Sequence, residues 1–236
     1  MRTVTLLLVS LSFMSTAHGQ GTGVVFVQTT SKSAGGASQT LAVSFPANSL
    51  AGDIILVGFD FGASATASSV VDSQGNVFTP VGNQLTSPGG TRSRVYYARN
   101  IKGGADTVTV NLSAISATGL EVYLTEYSGV DPTNPIDAQA GATGSSSAVS
   151  SGTAPTTVAG DEIYGFCLGD WACKVGPGFT ARSTMNNNLI ENKLAGNPGS
   201  YAATGSANHG WTMQMVALKP ASPGVGAPPR WAAACP

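Results

Sequence analysis

Apolar and polar residues alternate with a period of two along most of this chain, and helical spacing is nearly absent. The segment Asp106-Thr107-Val108-Thr109-Val110-Asn111-Leu112 shows the pattern most cleanly. Val108, Val110 and Leu112 fall on one side and Thr107, Thr109 and Asn111 on the other, as a half-buried strand requires. Residues 40–45 alternate in the same way. Leu120, Val122 and Leu124 predict a core face, and Glu121, Tyr123 and Thr125 predict a water-facing one. Glu126 falls on the core parity, so either a bulge re-aims it or hydrogen bonds hold it at the end of the sheet. Ile54-Ile55-Leu56-Val57-Gly58-Phe59 is apolar on both parities and predicts a central strand covered on both faces. Further strands are expected at 23–28, 94–98, 162–166, 179–183, 189–193, 201–204 and 211–218. Ser73-Gln74-Gly75-Asn76, between short apolar runs, reads as a hairpin turn because glycine accepts positive φ. The Gly-, Ser-, Thr- and Ala-rich stretch 141–155 reads as a strand bordered by loops rather than a linker.

More than eight short strands with turn signals every eight to twelve residues predict an all-β fold, a single antiparallel β-sandwich of jelly-roll or Greek-key type. The expected boundaries are 1–19 for a signal peptide, 20–219 for the sandwich and 220–236 for a flexible tail rich in Pro, Gly and Ala. Division into two domains near residue 140 is the alternative; the second half is the poorer in apolar strands.

Charge changes the picture mainly by its scarcity. Charged residues make up 10% of the 236, far below the roughly 25% of ordinary globular chains. Clustered Lys and Arg are absent, which argues against a nucleic-acid partner. Arg2, the apolar run Leu6-Leu7-Leu8-Val9 through Phe13-Met14, and the small residues around Ala17 and Gly19 read as a removable secretory signal. That run is too short for a membrane span, which needs about 20 residues, and no second one approaches that length. Cleavage after Gly19 leaves Gln20 first and is favoured; cleavage after Ala17 leaves His18 first. In an oxidising compartment Cys167 and Cys173 are candidates for a disulfide, with Cys235 as a rival partner for either or for another chain.

Several segments carry a likeness to known proteins: residues 70–78 (Val-Val-Asp-Ser-Gln-Gly-Asn-Val-Phe), 97–110, Glu126-Tyr127-Ser128-Gly129-Val130-Asp131 with Asn134-Pro135-Ile136-Asp137, Gly199-Ser200-Tyr201, and the closing strand from Trp211. Together, over about residues 24–219, they resemble a family of secreted bacterial β-sandwich domains that lie beside other extracellular repeats and have largely no assigned activity. The resemblance implies export and a surface or matrix role rather than a reaction. It does not extend to the Cys167–Cys173 segment or the tail.

Three constellations are candidates for function. Trp171, with Tyr97, Tyr123 and Tyr127, would form an aromatic face able to stack on sugar rings; for most strand tyrosines, half-buried packing is the simpler reading. Asp131, Asn134 and Asp137 gather oxygens that calcium would accept, although Asx turns explain the same residues. His18 and His209 would supply the nitrogens of a copper brace, as in secreted copper enzymes that oxidatively cleave polysaccharides, only if His18 is the mature N-terminus. A serine triad lacks its elbow motif, and Asp60, Glu121, Glu126 and Glu191 cannot be placed as a hydrolytic pair from sequence. The expected function is a secreted, non-enzymatic structural or adhesive protein without a required cofactor. It would assemble with itself through the strand Val24–Val27 or bind extracellular polysaccharide as a carbohydrate-binding module. N-terminal sequencing of the mature protein is expected to begin at Gln20; a start at His18 would instead supply the brace.

Overall fold

The computed structural model describes residues 23–222. The proposed signal peptide, His18, most of the tail and Cys235 lie outside them. Among the described residues the regular structure is β throughout, apart from one 3-10 turn at Met185–Asn187.

The first half contains β1 (Val25–Ser33), β2 (Ser38–Ser44), β3 (Ile54–Phe61), β4 (Ala67–Asp72), β5 (Thr79–Thr86), β6 (Arg92–Ala98), β7 (Thr107–Ser116) and β8 (Leu120–Ser128). They form a five-stranded sheet in the order β1-β8-β3-β6-β5 and a three-stranded sheet in the order β2-β7-β4, all antiparallel. This is jelly-roll connectivity.

The second half contains β9 (Ile136–Gly144), β10 (Ala148–Ser150), β11 (Ala154–Pro155), β12 (Glu162–Gly169), β13 (Cys173–Val175), β14 (Thr180–Ser183), β15 (Leu189–Leu194), β16 (Ser200–Tyr201), β17 (Thr204–Ala207) and β18 (Trp211–Leu218). Its large sheet runs β9-β18-β12-β15-β14 and its small one β10-β17-β13, with β11-β16 as an added ribbon. Strand for strand, the order of the first half is repeated. Each first strand even carries a bulge at the same place: β1 between Phe26 and Gln28, and β9 where Ile136 and Ala138 face Leu218 and Ala217. The expected antiparallel sandwich is present, and its connectivity occurs twice.

The two halves share one body because the large sheets pack face to face. Alternation along β3 sends Ile55, Val57, Phe59 and Phe61 toward the small sheet of their own half. Ile54 and Leu56 point the other way and join Val95, Tyr123 and Tyr127 against Tyr164, Phe166, Ile190, Val216 and Leu218 of the second half. On the far side of the second large sheet, Ile163, Leu189, Trp211, Met213 and Met215 pack under the small strands with Val149, Ala203 and Ala207. Hydroxyls also pair across the seam: Ser93 Oγ lies 2.7 Å from Thr212 Oγ1, and Ser31 Oγ lies 2.6 Å from Ser183 Oγ.

Four sequence expectations change. β4 and β5 do not form a hairpin: the turn exists, with Gly75 at φ 71° and Asp72 accepting the Asn76 amide, but β4 pairs with β7 and β5 with β6 in different sheets. The turn is a crossing between layers, and it places β5 beside β6 rather than beside β4, a departure from the jelly-roll path. Residues 25–33 pair with β8 of their own sheet, so the strand Val24–Val27 fills its intramolecular role. Residues 136–144 form a strand of their own, its Ala138, Ala140 and Ala142 packed beside the third core cluster. The ordered body also continues past residue 219, where the Ala221 amide donates to Gly129 O at 2.8 Å.

Gly58 marks how closely the large sheets approach. A methyl group there would lie 2.9 Å from Tyr164 Oη and 3.1 Å from Phe166 Cδ1. Gly58→Ala is expected to cost about 1–3 kcal/mol by overpacking, read as a lower denaturant midpoint for the whole chain.

Candidate functional site

At the end of the seam where β3 and β12 finish, the halves leave a cleft of about 350 Å³ lined by Asp60, Glu121, Asp170, Asn186 and Asn188, among others. Each half contributes. Asp60 and Glu121 are directly paired residues on β3 and β8. Asn186 and Asn188 come from the turn before β15, where Asn186 and Asn187 take φ of 50° and 66°, a region asparagine tolerates better than most residues. The Asn188 side-chain nitrogen reaches Asp60 Oδ2 at 3.1 Å, Glu121 Oε2 at 3.2 Å and Tyr123 Oη at 2.9 Å. Tyr123 Oη in turn donates to Glu121 Oε2 at 2.7 Å, and Asn186 donates to the other Glu121 oxygen. Burial and the adjacent Glu121 push the Asp60 carboxyl well above the usual range. The same burial, with Asp60 and Glu121 nearby, raises Tyr123 far beyond a normal phenol.

The loop beside this cleft is held from two directions. Cys167 and Cys173 are disulfide-bonded, with sulfurs 2.04 Å apart, so the expected pairing is present and residues 168–172 form a closed loop. Asp170 fastens that loop to its neighbours. It accepts the Ser87 hydroxyl at 2.5 Å and the Gly89 amide at 2.8 Å, while its own amide donates to Gly210 O at 2.7 Å. A side chain at Gly210 would run into the Asp170 carboxylate, which explains glycine there. Trp171, next in the chain, stands 66% exposed with its ring 5.7 Å from that of His209. A large aromatic presented on a doubly tethered loop beside carboxyl and amide groups can stack on an apolar ring face while hydroxyls meet the polar wall.

The other sequence candidates do not join this site. Tyr123 and Tyr127 are fully buried, because the face of β8 expected to meet water is covered by the second large sheet. Tyr97 is half-buried and lines a separate hollow with Val77, Arg99 and Lys102. The expected aromatic face thus reduces to Trp171. Asp131 accepts the amides of Thr133 and Asn134 at 2.8 and 2.9 Å, an Asx turn that holds its carboxyl below the usual range. Asp137, on β9, accepts the Thr157 amide and hydroxyl instead. Of the three proposed calcium ligands, Asp131 and Asp137 thus use their carboxylates in separate turn and loop hydrogen bonds, and Asn134 gives its backbone amide to Asp131. Among the described residues no group of three or more His, Cys, Asp or Glu is placed to hold a metal. Of the copper brace, only His209 is described, and it faces Trp171.

Asn186 and Asn188 were not singled out by sequence reasoning; the run Met185-Asn186-Asn187-Asn188 was their only signal. Comparison of the chain with protein-family models, with curated proteins and with solved structures finds no match. Cys173→Ser is expected to cost about 2 kcal/mol from the freed short loop. The measurement is denaturant unfolding, with faster amide exchange at residues 169–172 as the local readout.

Proposed function

We propose that this chain is a secreted, non-enzymatic adhesive protein that holds extracellular polysaccharide at the cleft between its two jelly rolls. The observation that carries the reading is the exposed Trp171 on a loop fixed by the Cys167–Cys173 disulfide and by Asp170, which itself lines the cleft with Glu121 and Asn186. Rigid aromatics lose little entropy when they bind, so a fixed indole is worth more than a mobile one. The polar groups of the wall match sugar hydroxyls in kind. A disulfide suits an oxidising, extracellular setting, as do the leader-like N-terminus and the likeness to exported bacterial sandwich domains.

Self-assembly is the second reading. β1 is the outermost strand of its sheet and Val25 is exposed, so an unpaired edge is available to another copy. Donation of Val24–Val27 would first have to break its pairing with β8, which favours the glycan reading.

A glycan array followed by titration of the best hit tests the proposal. Trp171→Ala is expected to weaken binding by about tenfold or more, equivalent to about 1.4 kcal/mol, with an unchanged unfolding midpoint because the ring is exposed. Binding that ignores this substitution removes the site from the proposal. Absence of any glycan binding by the full protein removes the function, and filaments seen by electron microscopy would then support the second reading.

A further inference from the structure

The repeat extends to an Ala-Gly-Asp turn in each half, at the end opposite the cleft, and in each half a second acid from a different strand faces the aspartate. Ala51-Gly52-Asp53 precedes β3 and Ala159-Gly160-Asp161 precedes β12. Both glycines have positive φ, 95° and 82°. In both copies the loop is tied the same way: Ile101 N donates to Asp53 O at 3.0 Å, and Ala195 N to Asp161 O at 2.7 Å. The two aspartates are buried, and each faces a second acid, Glu126 in one half and Asp137 in the other.

The hydrogen bonds divide the roles. Glu126 accepts the Leu50 amide at 2.8 Å and the Gln28 side-chain amide at 2.5 Å. Asp137 accepts the Thr157 amide and the Thr157 hydroxyl, each at 2.5 Å. These two acids are the acceptors of their pairs, each already met by two donors. Asp53 Oδ2 and both oxygens of Asp161 are buried with no donor. A buried carboxylate without donors is costly, and two charged acids in contact are costlier. A proton on the aspartate removes both penalties, because the neutral acid donates to its ionised neighbour.

We propose that Asp53–Glu126 and Asp161–Asp137 are proton-holding latches that fasten the loops at residues 49–53 and 157–161 in acid and release them above neutrality. Burial first, then Glu126, pushes Asp53 up to about 7. Burial first, then Asp137, does the same for Asp161, with Lys219 the opposing cation. Asp137, against its own burial, is held low by Thr157. Gln28 on β1 and Thr157 in the loop are the uncharged partners. The unfolded chain releases these protons near pH 4. The raised folded values therefore give stability that is complete below about 4 and lost as pH rises through about 7. Asp60, Asp106, Glu162 and Glu191 are also raised and add to the same trend elsewhere.

The test is denaturant unfolding of the full chain from pH 4.5 to 8.5, with Asp53→Asn, Asp161→Asn and the double variant. Asparagine keeps a donor toward the neighbouring acid but cannot lose a proton. The wild-type folding constant is expected to fall by about tenfold or more per latch between pH 5 and 8, and the double variant is expected to fall less steeply. The Leu50 and Thr157 amide shifts should titrate near neutrality in the wild type alone. Wild-type stability that stays level or rises over this range overturns the proposal, as does an equally steep fall in the double variant. Should the variants not fold, the wild type alone decides: the Leu50 and Thr157 amide shifts are expected to titrate near neutrality, and amide shifts that stay level from about pH 5 to 8 overturn the latches.

Discussion

The structure depends on one packing requirement: a strand apolar on both faces must be covered on both faces. β3 meets it by standing between two layers, with Ile55, Val57, Phe59 and Phe61 on one side and Ile54 and Leu56 on the other. A lone jelly roll could cover only the first set. The second jelly roll supplies the missing layer through Tyr164 and Phe166. Burial of a large side chain is worth about 1.5–3 kcal/mol, so exposing this seam would cost more than the net stability of a typical domain. Gly58 lets the layers approach, and the hydroxyl pairs Ser93–Thr212 and Ser31–Ser183 satisfy polar groups that the approach takes from water.

Duplication on a common plan leaves one end of the molecule alike in both halves and the other end different. At the loops before β3 and β12 the Ala-Gly-Asp turn is kept, and an acid faces it in each half, from β8 in the first and from β9 in the second. At the opposite end the strand-paired residues Asp60 and Glu121 have Leu168 and Thr212 in the corresponding places. The acids of one copy and the Cys167–Cys173 loop of the other therefore meet only because the halves are stacked. The cleft is a product of asymmetry between the copies.

Much of this was legible in the chain. The period of two gave the strands, the double parity of residues 54–59 gave the covered strand, and the spacing of Cys167 and Cys173 made them one candidate pair, with Cys235 as the rival. What escaped was the number of layers. Tyr123 and Tyr127 share a parity with Glu121 and Thr125, and a mixed polar and aromatic side reads as solvent-facing when only one covering sheet is assumed. The second half hid its first strand, β9, because Ala138, Ala140 and Ala142 are small where the alternation signal needs bulk. The repeated Ala-Gly-Asp was present in the sequence and is short enough to pass for coincidence until both copies are seen before equivalent strands. Asn186 and Asn188 became visible only through the fold, since asparagines in a turn carry no mark of the wall they face.

The shared central layer also governs how anything can be held at the seam. Asp60 and Glu121 come from one half, Asp170, Asn186 and Asn188 from the other, and the two are locked by a common core. With no hinge between them, the walls cannot clamp down on a guest. If polysaccharide is the occupant, as proposed, such a recess would exchange it freely, and firm attachment would come from many copies engaging one long polymer, where each rebinding is helped by its neighbours.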